Sequence, residues 1–321
     1  MIISASRRTD IPAFYSEWFM NRIHAGYCLV ANPFNPRQIS RVSLAPDDVD
    51  AIAFWSKNPA PLMPHLHELD AMGHRSCFQY TLCGYSAELE PHVPPVEERI
   101  AIFRELAHRL SQLRVIWRYD PIVVSNYTDA DFHKRTFERI ASALEGMTTR
   151  VVISLVDYYG KVRRNLKPLE GAGWQFAEYT GAETESRDLL RWMAAAAQEH
   201  GLKIQCCSET VNLADLGIRP GKCIDDGLLN EVWGVPLTTK DPGQRSACLC
   251  AISKDIGAND TCLHGCRYCY ATNSLAAAAA RRRQHDPHSP ILVGPAPPDE
   301  KRSAAHDTSP TPDGEVQQSL F

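Results

Sequence analysis

The residues whose type and spacing best suit chemistry are three cysteines in the run Cys262-Leu-His-Gly-Cys266-Arg-Tyr-Cys269-Tyr270 of this 321-residue chain. A C-x3-C-x2-C run brings three thiols within reach of one centre, and thiolates prefer soft metals. A four-cysteine zinc site or an ordinary ferredoxin closes its coordination with a fourth protein ligand. No cysteine follows Cys269. Three corners of an iron–sulfur cube held by Cys262, Cys266 and Cys269 would therefore leave the fourth iron open to an exogenous ligand. His264, inside the run, could tune or ligate a cluster but reads first as a solvated loop residue.

The chain has eleven cysteines, many for structural thiols. Cys207, Cys223 and the C-x-C pair Cys248 and Cys250, which lies twelve residues before Cys262, make four more thiols for a second site. That site could be an auxiliary iron–sulfur cluster or a structural zinc. Cys206 should point to the strand face opposite Cys207, while Cys28, Cys77 and Cys83 read as small buried hydrophobes.

Elements that could position these groups alternate along the chain. Strand-like runs cover 2–5, 28–31, 51–55, 77–82, 114–117, 151–156 and 203–207, with 28–31 expected to be peripheral. Helix-length amphipathic runs lie between them. Residues 95–112 carry Ile100, Phe103, Leu106, Ala107 and Leu110 on one face after Pro94-Pro95. Thr128 is the expected N-cap of the next helix, 186–200 forms another, and 274–283 is an alanine-rich helix ending in arginines. The pattern predicts an α/β fold, a partial or complete parallel (β/α) barrel with a C-terminal cysteine-rich loop. The expected divisions are a barrel over 1–215, a cysteine-rich lid and cluster segment over 216–295, and a disordered tail over 296–321. The segment from Gly217 to Gln244 is expected to fold over the barrel mouth, and Ile291–Gly294 to dock as a short strand.

Function in such a fold belongs at the C-terminal ends of the strands. Arg7, Arg8 and Asp10 follow the first strand, Ser56 and Lys57 the third, and Thr81 ends the fourth. Arg118 and Asp120 end the fifth, and Glu209 follows the last. Arg8 with Asp10, or Arg118 with Asp120, could equally be ion pairs that stitch loops together.

A net charge of −4 and a pI near 6.3 give no global case for nucleic acid or an anionic membrane, although Arg281–Arg283 form a local basic group. No run approaches the ~18 apolar residues of a membrane span, and the expected location is cytoplasmic.

The cysteine run, with Tyr268 before its last cysteine, resembles the cluster loop of the radical S-adenosylmethionine (SAM) enzymes. Tyr270-Ala271 is similar to the spore photoproduct lyase branch. The chain as a whole resembles a bacterial family of unknown function with a radical-SAM-like cysteine cluster at its C-terminus. That likeness rests on 6–12 (SRRTDIP), 54–59 (FWSKNP), 117–121 (WRYDP) and 255–257 (DIG), and covers roughly residues 1–295. The resemblance implies a partial (β/α)6 barrel, a 4Fe-4S cluster on Cys262, Cys266 and Cys269, and SAM on the open iron beside Tyr268 and Tyr270. One-electron cleavage of SAM would yield a 5'-deoxyadenosyl radical that takes hydrogen from an unidentified substrate. A reductant such as flavodoxin or ferredoxin is implied with it. Lys57 or Arg118 would then meet the SAM carboxylate or an anionic substrate, and Asp10, Asp120 or Glu209 the SAM amine, ribose or substrate. Two departures stand out: the cysteine loop comes last in the chain, and no Gly-Gly-Glu motif occurs. A circular permutation would reconcile them, with 2–5 as the strand after the cluster loop and 7–10 in the SAM-amine position. The other readings are a non-catalytic or electron-transfer iron–sulfur protein and a zinc-stabilised nucleic-acid module.

Overall fold

The structure, a computed structural model, describes residues 1–296. From the N-terminus come β1 (Ile2–Ala5), α1 (Ile11–Phe14), α2 (Ser16–Ala25), β2 (Tyr27–Ala31), β3 (Ile39–Ser43), β4 (Ala51–Ser56), α3 (Leu66–Ala71), β5 (Ser76–Thr81), α4 (Val96–Leu110) and β6 (Val115–Ile122). They are followed by β7 (Val124–Ser125), α5 (Ala130–Ala143), β8 (Arg150–Leu155), α6 (Gly160–Glu170), β9 (Phe176–Ala177), α7 (Thr184–Glu199), β10 (Lys203–Cys206), β11 (Arg219–Pro220), α8 (Asp226–Trp233), β12 (Lys254–Asp255) and α9 (Leu275–Arg282). Of the tail expected over 296–321, everything beyond 296 lies outside the described residues.

Eight strands form one parallel sheet in the order β11-β10-β8-β6-β5-β4-β1-β12. From β1 to β11 the spatial order follows the chain order, without the reversal of a doubly wound sheet. The crossover helices all lie on one face: Phe19, Leu66, Phe103, Phe137, Leu166 and Met193, from α2 to α7, share a core with Ile3, Phe54, Phe78, Trp117 and Ile153 of the strands. Sequential parallel strands with helices on a single face make a partial barrel-like α/β domain.

The strands read as near-continuous apolar runs because both faces are covered. Their alternate residues differ in size, however. Bulky side chains face the helices, whereas Ile2, Ala51, Ala53 and Cys77 face inward and pack with Cys223, Ile224, Leu229, Val235, Cys248 and Cys250. Ile116 and Val152 meet Leu228 of α8 on the same side. The 217–244 segment thus lies against the inner face of the sheet rather than only across the strand ends. Small inward side chains leave the room it occupies, and its apolar residues need that cover. It also supplies an edge strand, β11, and β12 follows soon after at the opposite edge.

Several expectations shift for local physical reasons. The 28–31 run is indeed peripheral, pairing antiparallel with β3 away from the main sheet. The N-cap of α5 is Asp129, whose carboxylate accepts from the Phe132 amide at 2.8 Å, while the Thr128 hydroxyl donates to the Val123 carbonyl instead. Ile291 makes an isolated parallel bridge to Leu29, so it docks on the peripheral hairpin. Among the described residues no helix is long and apolar enough to cross a membrane.

Candidate functional site

Two stretches of chain build the centre of the site: the turn after β1 and the cysteine loop that follows β12. Parallel pairing of Ile3 with Lys254 and Ser4 with Asp255 sets them side by side. Asp255 then ties the two together. Its carboxylate accepts from Ser4 Oγ, Ser6 Oγ and the Arg7 amide at 2.8 Å each, from the Gly257 amide at 3.0 Å and from Arg8 Nε at 3.1 Å. Burial opposes its charge, but Arg8 and Arg7 hold its pKa below the ordinary value. Arg8 is therefore a loop-stitching residue, paired with Asp255 and not with Asp10.

The cysteine loop is clamped along its length. Tyr15 Oη donates to the Thr261 carbonyl at 2.7 Å, and Tyr270 Oη to the Arg7 carbonyl at 2.7 Å. The His92 amide donates to the His264 carbonyl, and the Arg267 amide to the Leu89 carbonyl. Between His264 and Cys266 the chain turns through Gly265 at φ +71°, a left-handed conformation that favours glycine. His264 is not solvated: it is 2% exposed and its Nε2 lies 2.8 Å from Asp10 Oδ2. A loop packed over a parallel sheet buries its own polar groups, and a buried imidazole needs a partner.

Asp10 provides that partner and has little left to offer a ligand. Beyond His264 it accepts from the Ala13 amide at 3.0 Å, and from Ser56 Oγ and the Lys57 amide at 2.8 Å. Geometrically it joins β1, β4 and the cysteine loop.

Lys57 points into a buried charge network. Its ammonium donates to Glu90 Oε1 at 2.8 Å and to Tyr268 Oη at 3.0 Å, and Tyr268 Oη itself donates to Glu90 in a very short contact. Arg99 Nη2 lies 3.5 Å from the other Glu90 oxygen. Burial opposes the charge on Lys57, but Glu90 and the Cys266 thiol outweigh it and raise the pKa. Burial likewise opposes the Glu90 charge, and Lys57 and Arg99 hold that carboxyl ionised. Of this network, Lys57 and Glu90 are the charges felt at Cys266, with opposite effects on its thiol.

The Cys262, Cys266 and Cys269 thiols are partly buried. Burial pushes Cys262 up to about 12, with Asp10 and Cys269 adding to the shift, and pushes Cys266 well above the ordinary thiol range despite Lys57. Left to themselves the Cys262 and Cys266 thiols stay protonated; a bound cationic centre is what would draw off their protons.

Across the site, Arg118 donates to Gln79 Oε1 at 3.2 Å and to Cys223 Sγ at 2.9 Å, and pairs closely with Asp120. Ser154 Oγ donates to the other Asp120 oxygen. Glu209 is less committed. One oxygen accepts from the Leu155 amide at 2.8 Å, and burial raises its pKa to about 7.

Most of these groups converge. A cavity of about 250 Å³ is lined by Arg7, Arg8, Asp10, Ser56, Lys57 and Thr81 from the first strand ends, and by Arg118, Asp120 and Glu209 from the later ones. Cys262, Cys266, Cys269, Tyr268 and Tyr270 line the same space, as do Cys207, Cys223, Cys248 and Cys250. Its size approaches the lower end of the roughly 300–1,000 Å³ of ligand pockets. Among the described residues no three or more His, Cys, Asp or Glu side chains are already disposed about one point as metal ligands.

A family model matches residues 2–271, from the first strand through the whole cysteine loop. The chain belongs to the DUF1848 family, described as a domain of unknown function. Both sets of cysteines lie inside the matched span of this DUF1848 chain. No curated protein matches it.

Sequence reasoning missed three groups that organise this DUF1848 site: Glu90, Asp255 as a carboxylate anchor, and His264 as a buried one. For Asp255, the available signal was its position two residues before Gly257. Glu90 sits in an irregular stretch between β5 and α4, where no periodicity marks burial.

Proposed function

We propose that this chain is an iron–sulfur enzyme of the radical SAM type, with Cys262, Cys266 and Cys269 as ligands of a 4Fe-4S cluster. The observation that carries the reading is the convergence of the three-cysteine loop and the polar strand ends on one cavity. Donor chemistry fits. Three thiols on one clamped loop suit three irons of a cube, and a cube is broad enough that its ligands need not meet at one point. The Lys57 ammonium near Cys266 favours a negatively charged thiolate-bound group there. Backbone amides of His264 and Asp10 that reach the Cys262 sulfur add to this. Chain order supports it too: β12 leads into the cysteine loop and pairs in parallel with β1, as the permuted form of a radical SAM barrel requires.

When bound, the cluster with SAM on its open iron supplies one-electron cleavage of the sulfonium, the electron coming from a flavodoxin- or ferredoxin-type reductant. This chain's residues hold and shield that chemistry. Asp10 and His264 fix the loop over the strand ends, and Tyr268 is held against Glu90 and Lys57. Lys57 has a third N–H for a carboxylate of SAM or substrate. Arg118 and Asp120 form the far wall, and Glu209, poised near neutrality, is the group there best suited to hold or move a proton.

The test is the electron paramagnetic resonance spectrum of anaerobically purified, reduced protein with and without SAM. A 4Fe-4S signal that changes on adding SAM, and is lost in Cys266→Ala, is the expected result. A signal indifferent to SAM would favour a structural or electron-transfer cluster, a reading that the internal pairing of Asp10, Arg118 and Asp120 also suits. Absence of any cluster signal would overturn the assignment.

A further inference from the structure

Four cysteines outside the 262–269 loop line one side of the cavity, without three of them yet standing about a single point. Cys207 follows β10, Cys223 follows β11, and Cys248 and Cys250 arrive on the strand-like stretch tied to them by the Ala251 amide, which donates to the Ile224 carbonyl at 3.0 Å. Cys207 Sγ and Cys223 Sγ are 3.1 Å apart. Cys250 lies against both Cys223 and Cys248. The sulfurs thus form a connected chain, Cys207–Cys223–Cys250–Cys248. By contrast Cys28 is packed among apolar neighbours in a separate part of the core, while Cys77 packs beside the set on the inner face of the sheet.

We infer that Cys207, Cys223, Cys248 and Cys250 bind one divalent metal ion of the zinc class as a four-thiolate centre on the inner face of the sheet. Hydrogen-bond donors are already aimed at the sulfurs, as around thiolate ligands. The Cys223 and Ile224 amides donate to Cys250 Sγ at 3.3 and 3.5 Å, and Arg118 Nη1 donates to Cys223 Sγ at 2.9 Å. Four thiolates on a divalent ion leave −2, a charge that Arg7 and Arg118, both lining the adjoining cavity, partly offset, Arg118 being shared with Asp120. Binding releases the thiol protons and involves no change of oxidation state.

The close Cys207–Cys223 approach favours a single ion over a second cube. Metal–sulfur bonds of about 2.3 Å in a tetrahedron place sulfurs roughly 3.8 Å apart. The Cys207–Cys223 pair is tighter than that by roughly 0.7 Å, whereas a cube, with each sulfur beyond its own iron corner, would force the set much wider. The ion would close the sulfur chain into a tetrahedron and staple the 223–251 segment to the ends of β10 and β11. This inference does not rest on the radical SAM reading, and its test removes that site first.

The experiment uses full-length Cys266→Ala protein, purified without oxygen, stripped by chelation and titrated with Co2+. Expected are the visible bands of tetrahedral cobalt thiolate, saturating at one equivalent per chain, bleached by Zn2+ and absent when Cys248→Ser and Cys250→Ser are added. Zinc-edge X-ray absorption on zinc-loaded Cys266→Ala protein needs no further variant and should count four sulfur neighbours. Lack of the thiolate bands, their persistence in the serine variant, or a mixed nitrogen and oxygen shell would overturn the inference. So would about four irons per Cys266→Ala chain, the result of a second cube.

Discussion

Glu90 is the residue on which the interior charge balance depends. Its side chain is 1% exposed and sits between Arg99, which is equally buried, and Lys57, which reaches solvent only at the cavity wall. Removing one partner of a buried pair costs about 3–5 kcal/mol, because the charge left behind stays desolvated. Glu90→Gln should lose that much by denaturant unfolding and should loosen Tyr268, whose hydroxyl donates to the same carboxylate. An unchanged midpoint would show that the network is not sealed. Glu90 escapes sequence reading because its value lies in its neighbours: Lys57, Arg99 and Tyr268 come from widely separated parts of the chain, and nothing local in the irregular stretch before α4 announces a buried acid.

At the scale of elements, β12 is the joint that makes the site. Only two residues long, it gains little from ladder hydrogen bonds, and the Asp255 carboxylate does most of the joining. Gly257 lets this happen. A Cβ there would stand 2.6 Å from Ser6 Cβ and closer still to Ser6 Oγ, which is hydrogen-bonded to Asp255. Gly257→Ala should therefore push the β1 and β12 ends apart at a cost of about 1–3 kcal/mol. Thermal denaturation reads the loss, and the iron content of anaerobic protein reads whether the loop still converges; full stability would mean that the β1 and β12 ends are not closely packed there. Most longer elements were legible in advance. The span of β1 matches the expectation to the residue, and α4 lies within two residues of its expected ends, since continuous apolar runs and a 3.6-residue stripe are local signals. β11 and β12 were not legible, because two-residue strands exist only through their neighbours.

For the whole molecule, one buried and one half-buried group give the pH dependence of stability opposite slopes. Burial lowers the pKa of His133 to about 4 from 6.5, so its contribution is present above pH 6.5 and is lost as pH falls through 4. Glu209 is raised from 4.5 to about 7, so its contribution is present below pH 4.5 and is lost as pH rises through 7. A tenfold change in proton affinity corresponds to about 1.4 kcal/mol, and partial exposure of Glu209 reduces its share to on the order of 1–2 kcal/mol. Between pH 4.5 and 6.5 the two offset one another. Glu209→Gln should steepen the rise of unfolding free energy with pH over that window, and His133→Gln should reverse its sign or flatten it. Denaturant midpoints at pH 4.5, 5.5, 6.5 and 7.5 check both; parallel curves for wild type and variants would mean that neither group is perturbed.

The sequence by itself determined the α/β class, the order of the main strands and helices, and the location of polar groups at strand ends, because hydrophobic periodicity and turn residues act over a few neighbours. It also marked out the two sets of cysteines. Only the tertiary structure decided that both sets face one cavity, that 223–251 fills the inner face of the sheet, and that Asp10 and Arg8 spend their charge on holding loops. Those outcomes depend on which distant segments share space. A buried carboxylate goes to the donors that surround it, and in this chain those donors arrive from residues more than two hundred positions away.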